Sequence, residues 1–115
     1  ARKTPTVNDT KLTWYDEYRD QDVFVCDIRL DWQHWQDWLN DESHKSVRFV
    51  AANKTSCTLV KEYRSFYGGD KKPVWIAHKR LDGKLSTKYI GISENCTYEK
   101  IKKAAFKLSQ RKMKA

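Results

Sequence analysis

The chain predicts an α+β domain in which an antiparallel β-meander of three to four strands packs against a C-terminal helix, with a Trp-rich helix N-terminal to the sheet. Three observations carry this. From Ser46 onward, apolar and polar residues alternate with a period of two over four short runs. Asp82-Gly83 separates the last two runs, and both residues tolerate the positive φ of a tight hairpin turn. Two other segments, around Trp35 and after Thr97, repeat their apolar residues every three or four positions, as an amphipathic helix does. A length of 115 residues fits one domain with one modest core.

Residues 1–10 are polar, contain Pro5 and show no periodicity, so they read as a flexible arm whose Arg2 and Lys3 could touch phosphates. The domain then spans 11–115, with an acidic, Trp-rich part over 11–45 and a basic sheet-and-helix part over 46–115. Lys11–Asp22 mixes Trp14, Tyr15 and Tyr18 with acids, and Asp22–Leu30 reads as a short strand through Val23, Phe24, Val25 and Ile28. Asp31 suits an N-cap for a helix in which Trp32, Trp35, Trp38 and Leu39 form one stripe. Such stripes usually pack on a sheet; the other reading is an exposed stacking or docking surface. Ser46–Ala51, Cys57–Ser65, Val74–Leu81 and Leu85–Ile92 are the four expected strands. Thr97 caps a helix from Tyr98 to about Lys112, with Glu99 in its first turn and Lys107, Arg111 and Lys112 near its end, as the helix dipole favours. Ile101, Ala104, Ala105 and Leu108 make its apolar stripe. Phe106 falls outside it and is expected to touch the acidic N-terminal segment.

The net charge is +8, and it is unevenly placed. Residues 1–70 hold 10 Lys/Arg against 12 Asp/Glu, whereas residues 71–115 hold 13 against 3. The stretch from Asp9 to Glu42 carries a net −7. A local positive field of this kind is the footprint of a polyanion-binding surface. Cys26, Cys57 and Cys96 are an odd, widely spaced set without a CxxC pair, which argues for reduced thiols in a cytoplasmic protein. No long apolar run suggests a membrane span, and three N-x-Thr triplets read as chance.

Strand alternation sorts the residues by face. If the C-terminal helix packs on Trp75, Ala77 and Ile90, the opposite face displays His78, Arg80, Thr87 and Tyr89, joined by Thr58, Val60, Glu62 and Arg64 if Leu59 points inward, and by Arg48. Cations, hydroxyls and an aromatic on one sheet face suit phosphates and base edges. The plainer reading is a solvated face with Glu62–Arg80 pairing. Lys71, Lys72 and Lys84 at the turns, and Lys100, Lys103, Lys107 and Arg111 along one side of the helix, complete the candidate nucleic-acid contacts. Enzyme signals are weak: His34, His44 and His78 are scattered, Asp41, Glu42 and His44 resemble a helix end more than a metal nuclease, and Gly68-Gly69 lacks the context of a phosphate loop. The expectation is a binding module with no catalytic residues, metal or cofactor.

The run Val74-Trp75-Ile76-Ala77-His78-Lys79-Arg80, with Asp82-Gly83-Lys84-Leu85, Lys88-Tyr89-Ile90-Gly91, Ser93-Glu94-Asn95, Thr97 and Ala104-Ala105, resembles a module of cyanobacterial plasmid-borne proteins and of the N-terminal segments of LuxR-type, MalT-like regulators. In that module a Trp-x-x-Trp-Leu helix, here Trp35 to Leu39, precedes a strand such as Arg48-Phe49-Val50 and a Lys-Glu strand, here Lys61-Glu62. The resemblance covers roughly Asp31–Ser109. More remotely, the last three strands and helix are similar to the arm-binding domain of phage integrases and to the ethylene-response-factor domain. That likeness implies DNA contact by His78, Arg80, Thr87 and Tyr89, with Trp75, Ala77 and Ile90 in the core, although the families place charged groups where His78 and Thr87 stand. The expected role is double-stranded DNA binding in a plasmid, mobile-element, recombination or transcription setting. The competing role is a protein-interaction adaptor docking through its acidic, Trp-rich part.

Overall fold

The structure is a computed structural model that describes residues 4–65 and 67–110. Its elements run β1 (Thr6–Asn8), β2 (Lys11–Asp16), β3 (Gln21–Asp27), α1 (Trp32–Asn40), β4 (Ser46–Val50), β5 (Ser56–Ser65), β6 (Lys71–Leu81), β7 (Lys84–Gly91), a 3-10 turn (Ser93–Asn95) and α2 (Tyr98–Ser109). The class is α+β. All strands join one sheet in the order β3-β2-β1-β4-β5-β6-β7, antiparallel throughout except where β1 runs parallel to β4.

The sheet is thus wider than the three to four strands expected, and the extra strands come from the acidic N-terminal part. Thr6–Asn8, expected to be part of a loose arm, is a strand wedged between β2 and β4. The reason is apolar: Val7 and Leu12 sit opposite each other across the β1–β2 hairpin and are both fully buried. Asp9 makes that turn with a φ of 59°, and its backbone N–H donates to Val50 O. Arg2 and Lys3 lie outside the described residues. β6 also begins earlier than alternation suggests and includes Pro73. Pro73 pairs with Tyr63 on β5, whereas β7 reaches only to Trp75, so the side where a proline lacks its N–H has no neighbouring strand.

One face of the sheet carries the core. Val7, Leu12, Cys26, Val47, Phe49, Leu59, Trp75, Ala77 and Ile90 point to it, and both helices pack there. Trp35 and Leu39 of α1 are fully buried, and Trp35 Nε1 donates to Cys96 O at 2.8 Å while Gln36 Nε2 donates to Ser93 O at 2.8 Å, tying α1 to the 3-10 turn. Of the three tryptophans on α1, only Trp32 is exposed. Asp31 precedes α1 without a side-chain capping bond. Thr97 Oγ1 caps α2 by accepting from Lys100 N at 3.2 Å, and α2 buries Ile101, Ala104, Ala105 and Leu108. Phe106 is exposed and lines a shallow depression with Asn53, Lys102 and Lys103 rather than with the acidic segment. In the β6–β7 turn both Asp82 (φ 52°) and Gly83 (φ 79°) take the positive φ of a type I′ hairpin.

Candidate nucleic-acid interface

Among the described residues no helix lies on the other face of the sheet, and its composition follows from strand register. Residues directly opposite in an antiparallel pair share a face, so the fully buried Leu59–Ala77 pair fixes the alternation. Thr6, Arg48, Thr58, His78 and Thr87 then stand in one row across five strands of the open face. The next rows add Val60, Ile76 and Tyr89, then Glu62 and Val74, then Arg64 and Lys72. Arg80 and Leu85 form the row on the other side.

Arg48, Thr58, His78, Arg80 and Leu85 line an open depression of about 480 Å³. Arg80 Nη1 donates to Gly83 O at 3.5 Å, and Glu62 on β5 pairs with Arg64 at 3.3 Å and lies 3.9 Å from His78 Nε2. The Arg80–Glu62 pairing expected for a solvated face is therefore replaced by Arg64–Glu62. The Arg64 guanidinium also lies 5.7 Å from the centre of the half-exposed Tyr89 ring. Val74 and Ile76 are buried on this face, outside the main core cluster, flanked by Val60, Glu62 and Tyr89. They give the polar row a stiff apolar floor.

Seven of the expected contact residues are thereby brought together: Arg48, Arg64, Lys72, His78, Arg80, Thr87 and Tyr89. The others are not. Lys71 and Lys84 pair with Ser65 and Leu81 on the core-facing side, at the strand ends. Lys100, Lys103 and Lys107 ride on α2, beyond the opposite face of the sheet, and Arg111 lies outside the described residues. The alternation of Thr6-Val7-Asn8 and Lys11-Leu12-Thr13 around a two-residue turn could have revealed that Thr6 and Thr13 extend the row of the open face.

Strand order also explains how a dipolar chain can present a cationic face. The acidic β2–β3 hairpin and the basic β6–β7 hairpin are at opposite edges. A twist of about 20–25° per strand turns one edge from the other by roughly 120–150° over six steps, so the acids do not share the plane of Arg80.

The remaining candidates have ordinary structural partners. Asp41 accepts hydrogen bonds from Ser43 N and Oγ, which hold its carboxyl below the usual carboxylate range, and the His44 ring stacks on Trp38 at 4.0 Å with Nδ1 at 2.7 Å from Trp38 O. Among the described residues no three His, Cys, Asp or Glu side chains converge as a metal site would require. Cys26, Cys57 and Cys96 are free and buried, and burial pushes their thiols up to about 11, 12 and 12. No helix among the described residues is long and apolar enough to cross a membrane. No family model, curated protein or solved structure matches the chain.

Proposed function

We propose that the open sheet face binds double-stranded DNA. The observation that carries this reading is the row Arg48–Thr58–His78–Thr87, flanked by Arg80 and Tyr89, on a helix-free face. Three strands, β5 to β7, span about 10 Å between their outer axes, which fits a major groove roughly 12 Å wide. His78, Thr87 and Tyr89 would then meet base edges, and Arg48, one strand further out, would meet a phosphate on the groove wall. Arg64, Lys72 and Arg80 complete a set of four permanent cations for backbone contacts. The buried free thiols suit a reducing compartment such as the cytoplasm. No relative contributes to this reading, and α2 is left out of the interface because the sheet stands between its lysines and the open face.

Anisotropy of a labelled random duplex, titrated at two salt concentrations, tests the proposal. Four phosphate contacts are expected to weaken binding about a hundred-fold between 50 and 200 mM salt. A flat salt response, or binding that survives Arg48→Ala/Arg80→Ala undiminished, would remove the open face from any nucleic-acid role.

A further inference from the structure

We infer that the two free edges of the sheet are a matched pair through which copies of this chain join head to tail, β7 of one copy against β3 of the next. β3 and β7 are the outer strands, so among the described residues each has a side with no strand beside it. Edge strands are commonly guarded by charge, which blocks pairing with another chain. Both edges here are guarded, but with opposite signs. The β2–β3 hairpin carries Asp16, Glu17, Asp22 and Asp27, while β6 and β7 carry Lys71, Lys72, Arg80, Lys84 and Lys88. Like edges therefore repel, which disfavours a symmetric β3·β3 or β7·β7 dimer. Unlike edges attract.

Strand direction agrees with this. The pairings around the sheet leave β3 and β7 running in opposite directions, so β3 of a following copy continues the sheet as an antiparallel neighbour of β7. The lengths match, at seven and eight residues. All six residues from Lys84 to Tyr89 are exposed, and Phe24 on β3 is exposed on the same face as Leu85 and Tyr89, so pairing brings apolar side chains together across the junction. Below the end of β7 the β5–β6 ribbon overhangs with Arg64 and Lys72, level with the β2–β3 turn of the neighbour, where Glu17 is exposed. A contact between two different surfaces does not close into a dimer but propagates as an open array.

Sedimentation velocity on protein freed of nucleic acid tests this independently of DNA binding. Average mass is expected to climb steadily with concentration at about 50 mM salt and to fall back to the monomer near 0.5 M, where exposed charges are screened within a few ångströms. Two charge-reversed variants sharpen the test: Glu17→Lys/Asp22→Lys takes residues 17–27, β3 with its turn, from a net −3 to +1, and Lys84→Glu/Lys88→Glu takes residues 84–91, β7, from a net +2 to −2. Each alone is expected to lose association by about ten-fold or more, and their equimolar mixture to recover it, because every junction in an alternating array then joins unlike edges. A wild-type chain that stays monomeric at low salt, a closed dimer, or variants that associate as well singly as mixed would overturn the inference. The wild-type salt series decides the matter even if a variant fails to fold.

Discussion

Lys61 places an amine where the fold otherwise places hydrocarbon. It lies on the core-facing side of β5 opposite Trp75, is 8% exposed, donates one hydrogen bond from Nζ to Asp41 O at 2.9 Å, and sits 5.3 Å from the centre of the Trp75 ring. Burial lowers its pKa from the ordinary 10.5, against the smaller opposing pull of Asp41 and Glu42. Lys61→Met keeps the length of the side chain and removes the charge. It forfeits a charged hydrogen bond of about 1.5–3 kcal/mol and a ring contact of about 0.5–2 kcal/mol. It relieves a desolvation penalty of several kcal/mol. The balance is a variant more stable by about 1 kcal/mol at neutral pH, or about 4 °C in Tm for a domain of this size. The pH dependence has a definite sign. Because the folded value lies below 10.5, the unfolded chain holds more protons than the native one between the two values, and raising the pH through that window favours the native wild type. The advantage of the Met variant therefore shrinks as pH approaches 10.5. Paired urea melts at pH 7 and near pH 10 measure both quantities. A Met variant less stable by about 1 kcal/mol or more, or a gap that widens with pH, would refute the argument that burial dominates at this amine.

Trp75→Ala is expected to cost about 3–5 kcal/mol in chemical denaturation, since the ring is fully buried in the core. Trp75→Phe should cost about 1 kcal/mol or less, because it also removes an Nε1–H that finds no partner among the described residues. Gly91→Ala should destabilise by about 1–3 kcal/mol, as its φ of 121° excludes side chains and a Cβ would run into Asn95 Nδ2; thermal melts read this directly. Arg80→Ala and Tyr89→Ala, both exposed, are each expected to weaken duplex binding by about 1–3 kcal/mol with Tm nearly unchanged. Lys100→Gln/Lys107→Gln should leave the salt slope of that binding unaltered, and a drop of about two would bring α2 into the interface.

What was legible in the sequence depended on how local its cause was. The I′ turn at Asp82-Gly83, the Thr97 cap and the period-two runs around Leu59 and Ala77 are set by neighbours a few residues away, and the open-face set of Arg48, His78, Arg80, Thr87 and Tyr89 followed from that alternation alone. The sheet width was not legible in this way. β1 has only three residues, and its place beside β4 depends on contacts about 40 positions distant, which no short-range pattern encodes. Helical spacing likewise shows that Lys100, Lys103 and Lys107 share a side of α2, but not how far that side stands from the open face once the helix is on the core side of the sheet. For Lys61, which the resemblance places in a Lys-Glu strand, nothing local announces that α1 ends above it.

The short strand β1 makes the order of assembly a question of kinetics. β2–β3 and β4–β7 are each built from antiparallel pairs close in sequence, and β1 is the seam that joins them, through Arg48 N donating to Pro5 O and Asp9 N to Val50 O. Closing that seam means ordering a loop of about 40 residues, including α1, before three residues of ladder are gained, and this non-local step should set the folding rate. Amide exchange at Arg48 and Asp9 would report the seam opening, and substitutions at Val7 would slow refolding if it forms in the rate-limiting step or hasten unfolding if it forms afterwards.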